Sequence, residues 1–183
     1  LHDAFPISIR TYDAFQAAIE VNNESWLMIE GMISPDMPPQ SGTYVAYTEV
    51  DRTSSVDGAD DVDVSYFFPS SFQILLADGS EVETDTNFKE KTYPQTWPSA
   101  EVGIDDNIYF VEHNTPVVVI GKPSLQATNT NEGLKTIPRL YDTELMAVGD
   151  AADFAENIGD ALSRRDRKST RLNSSHDQIS YAV

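Results

Sequence analysis

His113 stands between Glu112 and Asn114, two residue types able to orient an imidazole, and it is where the sequence comes nearest to acid–base chemistry. Of the three histidines, His2 and His176 lie near the chain ends, so neither a histidine zinc site nor a Ser-His-acid triad has the parts to assemble. Adjacent residue types of this sort are commonplace, and His113 reads as a plain strand-end histidine. Cysteine is absent, which removes disulfides, thiolate metal sites and cysteine nucleophiles together. The acidic run 57–63 (DGADDVD) offers carboxylates to a hard cation such as calcium. It lacks the alternating ligand spacing and closing glutamate of an EF-hand loop, and reads as a solvated acidic loop. Carboxylate pairs for glycoside chemistry are not recognisable among 30 acids, because only their folded separation identifies them. No phosphate-cradling glycine run is present, and Lys89 with Lys91 is a small basic patch against a net charge of -18, so nucleic acid is a poor partner. Asn23-Glu24-Ser25 is a glycosylation sequon, a short pattern of little weight. No catalytic, cofactor-binding or metal-binding residue is assigned.

The elements that would position these groups follow from periodicity. Ala14, Phe15, Ala18 and Ile19 have helical spacing within 12–21. Residues 26–32 (WLMIEGM) and 43–50 (TYVAYTEV) read as strands around a Pro and Gly loop at 34–42, and 51–63 reads as a polar acidic insertion. Strand character returns at 65–68 and 72–77, where Asp78-Gly79 is a strong hairpin signal leading to a returning arm at 82–84. Tyr93-Pro94 and Trp97-Pro98 make 89–99 a loop or irregular edge. Residues 108–112 and 116–121 (PVVVIG) read as a strand pair, the second buried on both faces. Turn chemistry at 129–133 precedes an ambiguous stretch at 134–140 and a last strand at 145–148. Asp150 then caps a helix in which Ala151, Phe154, Ala155, Ile158 and Leu162 share a face, with Arg164 and Arg165 at its negative end. The expected fold is α+β, mainly β: a small β-barrel or sandwich-like domain closed by a C-terminal helix.

The two chain ends resemble a translated sequencing adapter. In one frame the adapter reads DRKSTRLNSSH, two index codons, then ISYAV, which matches 166–183; the opposite adapter reads LHDALPI against LHDAFPI at 1–7. We therefore expect 1–7 and 166–183 to be adapter-derived, the tail disordered, and 8–165 to be a single β-rich domain cut from a longer protein. These ends carry as many bases (Arg167, Lys168, Arg171) as acids (Asp3, Asp166, Asp177), so the net charge of -18 belongs to the insert. So acidic a composition keeps a protein hydrated where concentrated salt screens charge, and implies a halophile. With 40% hydrophobic residues the chain can bury a core, while its longest strongly apolar run, at 117–120, is far too short to cross a bilayer. The piece is expected to be soluble as cut.

The order of features resembles the GIDE domain, a family of membrane-anchored proteins whose eukaryotic members are mitochondrial E3 ubiquitin ligases. The resembling segments are WLMIEG at 26–31, the proline-containing loop with Ser41-Gly42 and YVAY over 34–47, and the apolar strand into a D-G hairpin at 72–83. VVIGK at 118–122 and the closing strand and helix at 145–162 complete the likeness, whereas 89–106 departs from it. The resemblance implies a non-catalytic interaction or sensing domain, because ligase activity in the family belongs to a RING zinc module that a cysteine-free chain cannot build. It also implies a possible protein partner, no cofactor, and membrane anchoring through segments outside this piece, one of them shortly after the 150–162 helix. The alternatives, from other classes, are a β-barrel enzyme or ligand-binding domain with a carboxylate-lined pocket, and a secreted surface module.

Overall fold

The computed structural model describes residues 8–21, 26–54, 60–87, 97–102, 106–130 and 133–155. The readings made on 1–7, the sequon, 57–59, Lys89, Lys91, the tip at 131–132 and everything after 155 lie outside these residues. The chain divides into a unit at 1–150 and another at 151–183. In the first, the elements in chain order are β1 (Ser8–Ile9), α1 (Tyr12–Val21), β2 (Leu27–Ile33), β3 (Tyr44–Ser54), β4 (Asp60–Phe67), β5 (Phe72–Leu75), β6 (Glu81–Thr84), β7 (Ser99–Glu101), β8 (Asn107–Glu112), β9 (Pro116–Thr130) and β10 (Gly133–Val148). In the second, residues 151–155 are helical, as the Asp150 cap predicts.

α1 forms where the helical spacing places it. Thr11 caps it, its Oγ1 accepting from Ala14 N at 3.3 Å, and the Asp78 carboxylate accepts from Tyr12 N at 2.7 Å at the helix's positive end. Phe15 is fully buried, and Ala18 and Ile19 pack against the core beside it. Asp78 also builds the β5–β6 hairpin that holds it there: its Oδ1 accepts from Ser80 N at 3.0 Å, and Gly79 takes a φ of 82° that only glycine adopts freely. One residue thus joins the hairpin to the helix.

Five strands close into a barrel in the order β2-β5-β6-β10-β9, with β9 returning to β2. Every neighbouring pair is antiparallel except β6 with β10, which run parallel. Val117, Val118 and Val119 are fully buried, as their uninterrupted apolar run implies. The ambiguous 134–140 stretch and the strand at 145–148 are one strand, β10, interrupted by a bulge between Tyr141 and Leu145 where Asp142 takes a φ of 50°. The bulge turns Thr143 inward, and its Oγ1 meets that of Thr84 at 2.8 Å in the core.

Two expectations require correction. The 51–63 segment is not simply an acidic insertion, since β3 continues to Ser54 and β4 begins at Asp60, with Asp51 opposite Asp63 and Val50 opposite Val64. The alternation Val62, Asp63, Val64, Ser65, Tyr66 carries the strand, and the density of acids conceals it. Residues 108–112 and 116–121 are also not a pair. β8 belongs to a separate four-stranded sheet, β4-β3-β8-β7, while β9 belongs to the barrel. The turn between them changes sheets: Asn114, with a φ of 59°, donates from its N to Ile33 O at 2.9 Å, and Ile33 N donates to Thr115 O at 3.0 Å.

Candidate surface site on the four-stranded sheet

The register of β3 with β4 and β8 sorts their side chains into two faces. On one lie Ala46, Thr48, Val50 and Val111, all buried, with Val62, Val64 and Tyr66 on the same side at the β4 edge. On the other, residues align in rows across three strands. Phe67, Tyr47 and Phe110 form an aromatic row: Tyr47 stacks on Phe67 at 4.5 Å between centroids and 8° between planes, and Tyr44 stacks on Phe110 at 4.4 Å and 24°. Ser65, Glu49 and Ile108 follow, then Asp63 opposite Asp51, and Asp106, just before β8, shares a hydrogen bond with Asp51 and completes an acidic row. The rings owe their place to register alone, for Tyr44, Tyr47, Phe67 and Phe110 lie on three different strands.

Like charges directly opposite one another on a sheet repel. The Asp51 carboxyl is accordingly held above its ordinary value of 3.8, first by the charge of Asp106, then by a hydrogen bond shared with it, by slight desolvation and by the charge of Asp63. The raised value fixes the sign of the effect. The folded state binds a proton here more readily than the unfolded chain, so the repulsion is absent below the ordinary value and grows as pH rises through the raised one. Asp78 is the opposite case, lowered by its hydrogen bonds from Ser80 and Tyr12, so its contribution is present above 3.8 and lost as pH falls through the lowered value. Asp51→Asn is therefore expected to raise the thermal midpoint at neutral pH and low salt. The gain should shrink in molar potassium chloride, and again as pH falls through the carboxylate range. Thermal melts of both proteins over a grid of pH and salt check this, and a gain independent of both variables would show that repulsion is not its source.

His113 lies in the turn between β8 and β9, where its Nε2 meets the carbonyl oxygen of Met37 at 2.7 Å. Its neighbour Glu112 instead accepts from the Thr43 hydroxyl, and Thr115 Oγ1 accepts from Glu112 N at 3.2 Å. The imidazole thus ties the 34–42 loop to the sheet-crossing turn. The carboxylates of Asp51, Asp63 and Asp106 are on the open sheet face, and no group of three or more His, Asp or Glu able to hold a metal occurs among the described residues. Of the sequence candidates, Asp63 falls in the acidic row, whereas Asp57 lies outside the described residues. Asp106 and the aromatic row were not legible, because only strand pairing brings β8 and the residue before it beside β3.

The fold defines a class. Three successive strands, a crossing to the fourth beside the first, and a fifth parallel to the third make a closed five-stranded Greek-key barrel, with the connectivity OB-folds use. Its insertions between the first and second and between the third and fourth barrel strands together form the second sheet. Such an architecture hosts unrelated functions and by itself assigns none. Comparison with protein-family models, with curated proteins and with solved structures finds no match.

Proposed function

We propose that residues 8–165 form a non-catalytic interaction or sensing domain of the GIDE-like kind, from a salt-adapted protein held at a membrane by segments outside this chain. The observation that carries the reading is the filled barrel. Ile29, Ile33, Phe72, Ile74, Val82 and Met146 are fully buried in one continuous core. Its buried hydroxyls are satisfied rather than facing a substrate: Thr84 bonds to Thr143, and Ser34 Oγ bonds to Oε1 of the exposed Glu81 at 2.6 Å. The segments that resemble the family at 26–31, 72–83 and 118–122 lie on the barrel strands and the hairpin joining them. Gly31 among them has a physical requirement to be glycine, since a Cβ there would stand 2.6 Å from Leu75 O. No helix among the described residues is long and apolar enough to cross a membrane, and the proposed anchoring is by segments outside this piece.

The test is to obtain the gene across both junctions, express the complete protein in molar salt and fractionate the cells. An apolar segment of ~20 residues is expected next to the domain, at least one following the 150–162 stretch, with the protein retained in membranes after a high-salt wash. A stop codon just after Arg165, with no apolar segment upstream of Ser8, would sink the membrane-anchored reading.

A further inference from the structure

β2, β5, β6, β10 and β9 close the barrel, beyond which β9 and β10 run on as a two-stranded ribbon, and the four-stranded sheet ends on β4, which among the described residues pairs with β3 alone. An eight-residue edge strand presents a line of backbone donors and acceptors to any chain able to lie beside it. Its side chains are unusual for a protected edge. Val62, Val64 and Tyr66 project to one side and are 51%, 41% and 40% exposed, although on β3 of that same face Thr48 and Val50 are buried. On the other side Asp63 heads the row with Asp51 and Asp106. No ion pair from Lys or Arg reaches those three acids among the described residues; Arg52, the nearest base in sequence, is opposite Val62 and so on the apolar face.

We propose that β4 is a docking edge for an extended basic–apolar segment of a partner protein, added antiparallel or parallel as a fifth strand of this sheet. The two faces specify the pattern of the incoming strand. Its apolar residues lie beside Val62, Val64 and Tyr66, at the ~4.5–5.5 Å of cross-strand neighbours, and cover them. Its alternate residues fall on the face of Asp63, where Lys or Arg complements the acidic row and relieves the repulsion that raises Asp51. Charge decides against the other occupant, a second copy of this chain. Pairing β4 with a second copy would bring together two molecules of net charge -18 and offer the acidic row no cation, since β4 itself contains no Lys or Arg. An acidic or neutral strand would cover the valines and leave the aspartates as they are.

This gives the proposed interaction domain its partner chemistry, but it rests on edge geometry and not on the family resemblance. The gene-flank test and the following one can therefore fail independently. The full 183-residue chain is titrated with fluorescein-labelled eight-residue probes: alternating Lys and Val, alternating Glu and Val, Lys and Val in a non-alternating order, and the alternating Lys–Val probe N-methylated at every second residue. The alternating Lys–Val probe is expected to bind at least about tenfold more tightly than each of the other three. Val64→Lys and, separately, Asp63→Lys are expected to weaken it about tenfold, with circular dichroism showing each variant folded. Should either variant fail to fold, the probe series decides alone. Equal binding of the N-methylated probe would show that backbone pairing is not involved, and equal binding of the non-alternating probe would reduce the contact to bulk charge. Self-association in sedimentation at molar salt, with no preference among probes, would assign the edge to a second copy. Each of these overturns the proposal.

Discussion

Trp97→Ala is expected to lower the unfolding free energy by about 3–5 kcal/mol, the cost of truncating a buried aromatic whose site cannot fully collapse. The residue belongs to neither sheet yet fastens to the barrel. Its Nε1 donates to Met146 O on β10 at 3.1 Å, and its ring stacks on Phe68 at 5.5 Å and 15°. Phe68 in turn meets Phe72 of β5 edge-on at 6.1 Å and 77°, so the truncation opens a gap from Trp97 through Phe68 to the barrel wall. Trp97→Phe should recover most of the loss while lacking the indole hydrogen bond, whose net worth is about 0.5–1.5 kcal/mol. Guanidinium denaturation at constant molar ionic strength measures all three proteins. The chain has two tryptophans and Trp26 is the exposed one, so Trp97→Ala should also abolish the blue-shifted part of the emission. A denaturation midpoint close to wild type would mean that Trp97 is not packed as described.

Gly31→Ala is expected to cost about 3 kcal/mol, at the upper end for a single added carbon in a packed core. A Cβ at Gly31 would stand 2.6 Å from Leu75 O and 2.7 Å from Ile74 Cγ2. The first contact is with backbone, so relief requires β5 to move relative to β2 rather than a side chain to turn. That pair is one seam of the closure: immediately after this glycine β2 pairs with β5 at Met32 and Ile33, while its other edge is paired with β9 as far as Met32. Gly121→Ala is the internal control. Its nearest neighbours, Tyr141 O at 3.1 Å and Leu140 Cβ at 3.2 Å, need yield only a few tenths of an ångström, so its cost should be the smaller. Urea midpoints of the two variants decide the order, and a larger loss at Gly121 would refute the close approach at Gly31 as the limiting contact.

Local chemistry was legible where a residue's own neighbours decide the outcome. Ala14, Phe15, Ala18 and Ile19 specify α1 because helical period depends only on spacing. Asp78-Gly79 specifies a turn because glycine alone enters the left-handed region without strain. Val117 to Val119 declare a strand buried on both faces because no polar residue interrupts them. Acidity and the absence of cysteine are likewise properties of the chain, and the mainly β fold class is legible beside them.

Pairing was not. β8 and β9 follow one another closely and read as a hairpin, yet the Asn114 turn sends them into different sheets, a choice made by Ile33 hydrogen-bonding to the turn from a strand far away in sequence. Barrel closure depends on how near β5 comes to Gly31, and the acidic row depends on the register that sets Asp51 between Asp63 and Asp106. The sequence alone determined the periodicities, the turns and the charge of this protein. Tertiary structure alone decided which strands meet, which carboxylates repel and which edge stays open, because strand pairing joins residues through space and leaves no mark on the spacing of either strand.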